Sequence, residues 1–90
     1  MPRYVIERTV PGVHRLNPEA LKNLAAASNK VLHELGPDVQ WEHSYVAPDK
    51  LFCVYLAANE DLVREHAKRG GFPIDRVAQV KTVIDPTTGE

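Results

Sequence analysis

The chain has one cysteine, no long apolar run and no excess of charge of either sign. Cys53 has no partner in the chain for a disulfide, which fits a reducing compartment. No apolar stretch approaches the roughly 18 residues that a membrane span needs, and the opening MPRYVIERTV lacks the apolar core of a signal peptide. The formal net charge is −1 without segregated basic residues, which argues against nucleic acid as the main partner. These absences predict a cytoplasmic protein that binds neither membranes nor nucleic acid.

Common site signatures are also missing. No glycine-rich loop precedes a helix with the spacing that cradles a phosphate, and there is neither a GxSxG motif nor zinc-finger spacing. The chain contains no HxxxH, HxH or CxxC pair. The local sequence signal for a metal site is therefore weak.

The chain does contain a series of strand and helix patterns separated by turn and capping residues. Residues 3–10 are rich in β-branched and aromatic side chains, which predicts a strand. Apolar residues recur with helical spacing over 17–36, where Asn17 can cap the start and Gly36-Pro37 ends the pattern. This predicts the first helix.

Two strands, a second helix and a final strand follow. Strands are predicted over 39–46 and 51–58, with Pro48 and Asp49 at the centre of a type I turn between them. The second helix is predicted to start after Asn59 and to stop at Gly70-Gly71. The last strand is predicted over residues 76–84, followed by a loosely held tail over residues 85–90.

The order βαββαβ predicts a single α+β domain over residues 1–90 with the ferredoxin-like fold. The usual strand order of that fold is 4-1-3-2, with two helices on one face of an antiparallel sheet. The first and third strands are nearly continuous apolar runs, which indicates burial on both faces. Because two helices cover only one face, we expect a second copy to cover the other in a face-to-face homodimer, as in dimeric α/β barrels. The alternative is an open face lined for a ligand.

The stretch QWEHSYV, residues 40–46, raises the question of a pocket. Strict alternation would put Trp41, His43 and Tyr45 on one face of the strand. A four-residue hairpin loop would set His43 opposite Val54. A three-residue loop with a bulge would instead set it opposite Tyr55 and beside Cys53, gathering these residues on one face. The sequence leaves both registers open.

Four histidines are the candidate metal ligands: His14, His33, His43 and His66. His14 and His33 are predicted to be exposed, and imidazole suits nickel, copper and zinc. His66 follows Leu62 and Val63 with helical spacing, which places it on or beside the buried face. It is either a packed core histidine or a half-buried ligand or acid–base group.

Two charged residues lie among apolar neighbours in the first strand. Glu7 and Arg8 point to opposite faces of a central strand, where a charge is normally paired or functional. Pairing within the dimer is the simpler interpretation of both. Glu7 completes the candidate pocket set: Trp41, Tyr45, Cys53, Tyr55 and Glu7.

The segments YVIER, LGPDVQWEHSYV, LFCVYLAANED, VREHAKRGGFPIDRV and TVIDPTTGE together resemble a family of small bacterial proteins. The family has long been labelled a domain of unknown function and is typified by a nickel-responsive, nickel-binding protein of actinomycetes. The resemblance implies a ferredoxin-like homodimer that binds nickel at the dimer surface, with sequestration or detoxification as its role. His43 and His66 match recurrent motif positions of the family, whereas no nickel ligand can be carried over residue by residue.

Three hypotheses follow. The first is a non-catalytic nickel-binding protein that uses histidines and carboxylates. The second is a small-molecule-binding or enzymatic dimer in which His43, His66, Tyr45 and Tyr55 supply hydrogen bonds and acid–base groups to an apolar pocket. The third is an interaction module in which the histidines only pack.

Overall fold

Four strands and two long helices alternate along the chain as βαββαβ. The computed structural model describes residues 1–90. The elements are β1 (Arg3–Thr9), α1 (Pro18–Leu35), β2 (Val39–Ala47), β3 (Lys50–Ala57), α2 (Glu60–Gly70) and β4 (Arg76–Gln79), with short 3-10 turns at Val13–Arg15 and Pro86–Gly89. The strands form one antiparallel sheet in the order β2-β3-β1-β4. This confirms the predicted ferredoxin-like fold and its strand order.

Local capping signals start both helices where the sequence predicts. The side chain of Asn17 accepts a hydrogen bond from the backbone N–H of Ala20 at 2.8 Å, and Asn59 accepts one from that of Leu62 at 3.0 Å. These bonds satisfy N–H groups that have no partner inside the helix. The first helix ends at Gly36 and the second at Gly71, both with positive φ, as favoured at helix C-termini.

The hydrophobic core lies between the helices and one face of the sheet. Alternate residues of β1 and β3 point to this face, so Tyr4 lies opposite Tyr55 and Ile6 opposite Cys53. The buried cluster consists of Tyr4, Ile6, Val13, Val39, Leu51, Cys53, Tyr55, Ala57 and Val63. The same alternation also places Arg8, 3% exposed, on the helix-facing side.

The opposite face of the sheet, here called the open sheet face, has no helix over it. Its centre carries four apolar side chains, all buried or half-buried: Val5, Phe52, Val54 and Leu56. Beside them, Lys50 donates a hydrogen bond to Glu7 at 2.5 Å, and Arg3 pairs with Glu42 at 2.9 Å. Glu7 therefore has its partner, Lys50, in the same chain and does not need the pairing in a dimer that the sequence suggested.

The last strand is shorter than predicted. It ends at Gln79, not at residue 84, because the neighbouring strand β1 begins at Arg3 and provides no further hydrogen-bonding partners. The backbone N–H of Val80 makes the last contact, a bond of 2.8 Å to the carbonyl oxygen of Arg3. Residues 81–90 are exposed, and the side chain of Asp85 caps their 3-10 turn.

The turn between β2 and β3 is not the predicted type I turn. Ala47 pairs directly with Lys50, and Asp49 has a φ of 59°. A type I turn requires negative φ at both central residues. The left-handed conformation suits aspartate because its short polar side chain tolerates it.

A β-bulge at Glu42 changes the face on which neighbouring side chains lie. His43 lies opposite Val54, as in the first of the two predicted registers, whereas Trp41 lies opposite Tyr55. One extra residue on β2 therefore reverses the alternation between positions 41 and 43. The prediction that Trp41, His43 and Tyr45 share one face is wrong: Trp41 faces the helices, and the other two lie on the open sheet face.

Candidate functional site

A cavity of about 400 Å³ lies between α1 and the helix-facing side of the sheet. Ten of its 15 lining residues are hydrophobic, and none is acidic. The lining comprises Arg8, Val10, Leu21, Leu24, Ala25, Ser28, Trp41, Ser44, Val46, Leu51, Cys53, Tyr55, Gly71, Phe72 and Pro73. A mostly apolar cavity of this size with a few polar groups is typical of small-molecule sites.

The bulge places two residues of β2 in this cavity wall. Trp41 and Ser44 both face the helices, and the indole N–H donates a hydrogen bond to the Ser44 hydroxyl at 2.9 Å. With strict alternation, residues three apart would point to opposite faces. The extra residue therefore allows the bond.

Arg8 is the only charged side chain in the cavity wall. Its Nη1 donates to the carbonyl oxygen of Pro73 at 2.8 Å, and its guanidinium carbon lies 5.7 Å from the centre of the Phe72 ring. Its Nη2 is buried and has no hydrogen-bond partner. The chain contains four ion pairs of arginine or lysine with glutamate, at 2.5–2.9 Å, and Arg8 takes part in none of them.

His66 packs beside the cavity, in the core. It is fully buried, as expected from its place on the inward face of α2, and its ring lies 5.2 Å from that of Tyr55 and 5.4 Å from that of Phe72. Its Nε2 lies 3.2 Å from the hydroxyl of Ser28, while its Nδ1 has no partner. Burial, aided by the charge of Arg8, lowers the pKa of His66. The ring is therefore neutral at pH 7.

Tyr55 lies in the wall between Arg8 and His66. Burial raises the pKa of its hydroxyl, although the nearby charge of Arg8 acts in the other direction. The hydroxyl therefore remains protonated at neutral pH and can donate a hydrogen bond.

The remaining candidate residues lie outside the cavity. His43 and Tyr45 are exposed on the open sheet face, with their rings edge to face at 5.0 Å, and Glu7 lies on that face too. Of the predicted pocket residues, the cavity thus contains Trp41, Cys53 and Tyr55, while the sheet separates Tyr45 and Glu7 from it.

His14 and His33 are exposed, as predicted. The Nδ1 of His14 accepts a hydrogen bond from the backbone N–H of Asp49 at 3.1 Å, so only its Nε2 is free for a metal ion. His33 lies on α1, by a depression formed with Pro37 and Gln40. No three His, Cys, Asp or Glu side chains of the chain are grouped to hold a metal ion.

Sequence reasoning missed the parts of the cavity contributed by distant segments. Ser28 lies on the apolar stripe of α1, and Phe72-Pro73 follow the end of α2, yet all three reach the same cavity. The sequence feature that could have indicated this site was the charged residue Arg8. Its position in β1 put a charge on the same face as Tyr4 and Ile6.

No helix of the protein combines the length and the apolarity required to cross a bilayer.

Comparison with known proteins identifies the family. Residues 4–80 match the family model described as "Nickel responsive protein SCO4226-like". The fold is similar to a crystal structure of SCO4226 from Streptomyces coelicolor A3(2), with a TM-score of 0.74 and 17% identity over 91% of this chain and 99% of that one. No curated protein matches the chain. The chain belongs to the family of SCO4226-like nickel responsive proteins.

Proposed function

We propose that this protein binds transition-metal ions, with nickel as its physiological ion, and sequesters nickel in the cytoplasm without catalysing a reaction. The observation that carries the proposal is membership of a nickel responsive family over residues 4–80. The exposed imidazoles of His14, His33 and His43 are donors that suit nickel. The free, buried thiol of Cys53 is consistent with a reducing compartment.

A second copy of the chain would supply further ligands to a nickel site. One chain does not group three His, Cys, Asp or Glu side chains, so a site built from three such side chains would combine residues of two copies. His43 is the best candidate because it is exposed on the open sheet face. His66 is unsuited to an ion arriving from solvent because its ring is fully buried.

We propose that the second copy packs on the open sheet face as a homodimer. The apolar strip formed by Val5, Phe52, Val54 and Leu56 has no helix over it, and contiguous apolar patches of this kind mark interfaces. In such a dimer His43 of both copies lies at or near the interface. The dimer and the metal site would then depend on each other.

Calorimetric titration of the tag-free protein with Ni²⁺, Cu²⁺ and Zn²⁺ tests metal binding. We expect saturable Ni²⁺ binding at pH 7 that weakens below about pH 6.5 as histidines gain protons, and stronger Cu²⁺ binding, following the order of divalent affinities. His43→Ala is expected to remove the Ni²⁺ signal, and the buried His66→Gln serves as the matched control. Absence of saturable Ni²⁺ heat in the folded dimer would overturn the proposal.

Sedimentation of a Phe52→Asp variant tests the dimer separately. A carboxylate at the centre of the open sheet face is expected to yield monomers, because burial of an unpaired charge opposes association. Val83→Asp is the control, since Val83 is 67% exposed outside that face. If both variants and the wild type sediment as dimers, the second copy packs elsewhere.

A second candidate function, binding of a small molecule, is favoured by the cavity beside α1. Ala25 lines this cavity, and Ala27, on the same helix, is exposed. The indole N–H resonance of Trp41 reports on the cavity directly. We expect naphthoate to shift that resonance saturably in the wild type and in Ala27→Phe, but not in Ala25→Phe, where the new ring fills the space.

A further inference from the structure

We infer that the cavity beside α1 is built for a small organic anion, a carboxylate on an apolar body, held through its charge by Arg8. This inference rests on the cavity being a ligand site, the second function proposed above. It adds the chemical class of the ligand and the residue that selects it.

The first support is a buried charge with no counter-charge. Arg8 is 3% exposed, and a guanidinium keeps its charge at any pH of interest. It is absent from all four ion pairs of arginine or lysine with glutamate, and its only hydrogen-bond acceptor is the neutral carbonyl of Pro73. Buried charges in proteins are normally paired. An anionic ligand would supply the missing partner.

The second support is the unused hydrogen-bonding capacity beside the cavity. Nη2 of Arg8 has no acceptor, although arginine can present two parallel N–H groups to one carboxylate. The hydroxyl of Tyr55, in the same wall, remains protonated and can donate. No acidic residue lines the cavity, so nothing in the wall competes for these donors or repels an anion.

The rest of the cavity wall favours an apolar body on the ligand. Leu21, Leu24 and Leu51 with the Trp41 indole make most of the surface apolar. An aromatic or branched aliphatic body gains free energy from burial there, whereas a polar body loses its hydration. Inorganic phosphate is disfavoured because it has no apolar body to bury against these walls, and nucleotides because they carry two or more charges against a single guanidinium.

A pair of isosteric probes separates the contribution of charge from that of shape. Naphthoate and naphthamide have the same ring system and nearly the same size, and only the first carries a charge at pH 7. We expect the wild type to bind naphthoate at least tenfold more tightly than naphthamide, measured by calorimetry and by the shift of the Trp41 indole resonance.

Arg8→Met is expected to abolish that preference, so that both probes bind with the affinity of the amide. Arg8→Lys should retain only part of it, because an ammonium lacks the forked geometry of the guanidinium. Arg76→Met is the matched control: Arg76 is exposed on β4, and its loss should leave the preference unchanged. Arg8→Met should fold, since replacing an unpaired buried charge by an apolar chain of similar length is commonly tolerated. Its circular dichroism and melting temperature check this.

The outcomes distinguish the inference from the proposal beneath it. Equal binding of both probes to the wild type would overturn the anion preference while leaving a ligand cavity. Preference that survives in a folded Arg8→Met protein would overturn the role of Arg8. Binding of neither probe to the folded wild type would overturn the ligand cavity itself, and the inference with it.

Discussion

The indole N–H of Trp41 donates a hydrogen bond to the hydroxyl of Ser44 at 2.9 Å, across the bulge that the extra residue Glu42 creates in β2. This bond joins two residues that strict alternation would have placed on opposite faces of the sheet. It holds the indole in the wall of the cavity. The bulge thus assigns Trp41 to the cavity and His43 to the open sheet face.

Removing this bond should destabilise the protein modestly. In Ser44→Ala the partly buried indole N–H loses its acceptor, and we expect the free energy of unfolding to fall by about 1 kcal/mol. Urea unfolding followed by Trp41 fluorescence measures the change. Ser44→Thr keeps a hydroxyl and suits a strand, so it should remain near the wild type. Equal urea midpoints for Ser44→Ala and the wild type would show that the bond contributes nothing.

Burial of His66 should make the stability of the fold depend on pH. Because burial lowers the pKa of His66 in the folded state, the unfolded chain takes up its proton first as the pH falls below about 6.5. Unfolding is therefore favoured, and stability falls with decreasing pH by at most about 1.4 kcal/mol per unit until the folded-state pKa is reached.

Urea unfolding tests this pH dependence when it is measured at several pH values between about 7 and 5. This range includes the pKa of histidine in the unfolded chain. In His66→Gln the free energy of unfolding should no longer show the pH dependence due to this group, even if the variant is less stable at every pH. His33→Gln is the control because His33 is exposed, and it should retain the slope. The same pH slope in His66→Gln and the wild type would contradict the prediction.

Gly70 should not tolerate a side chain. A Cβ atom at this position would lie 2.2 Å from Cε2 of Phe72, so the Phe72 ring would have to leave its place beside His66 and Arg8. We expect Gly70→Ala to lower the free energy of unfolding by about 1–3 kcal/mol, the usual range for overpacking. Thermal unfolding measures it. Gly89→Ala is the control: a Cβ atom there meets no atom within 4 Å, so its melting temperature should equal that of the wild type. An unchanged melting temperature in Gly70→Ala would mean that the Phe72 ring repacks freely.

Asp49 should resist replacement by alanine more than by asparagine. Its φ of 59° disfavours alanine by about 1–2 kcal/mol. Its carboxylate also accepts a hydrogen bond from the backbone N–H of Gly12 at 2.8 Å. Asparagine tolerates the same backbone conformation and retains an acceptor oxygen.

We therefore expect Asp49→Ala to lower the melting temperature and Asp49→Asn to leave it close to that of the wild type. The backbone N–H of residue 49, which holds Nδ1 of His14, is retained in Asp49→Ala, so the two-dimensional NMR spectrum should show the His14 ring released only where the turn itself changes conformation. Equal melting temperatures for the two variants would show that neither the turn strain nor the carboxylate matters.

Much of the fold follows from the sequence because its signals are local. The caps Asn17 and Asn59, the terminating Gly36 and Gly71, and the apolar periodicity of α1 act within a few residues, so they predict the helices directly. The continuous apolar runs of β1 and β3 likewise predict the central strands, and the sheet order β2-β3-β1-β4 confirms that position.

The candidate site was less predictable because distant segments form it. Sequence reasoning identified Arg8 as a charge needing a partner, but its one hydrogen-bond acceptor, the neutral carbonyl of Pro73, lies 65 residues away. The shortened end of β4 likewise depends on where β1 begins. Neither relation can be predicted from a short stretch of sequence.

By itself, the sequence determined the order of the strands and helices, the burial of His66 and the exposure of His14 and His33, because periodicity and capping depend only on near neighbours. Only the tertiary structure decided the bulge at Glu42, the left-handed Asp49 and the cavity beside α1. Strand register and the gap between a helix and a sheet result from packing across the whole chain. A shift of one residue moves every side chain that follows to the other face.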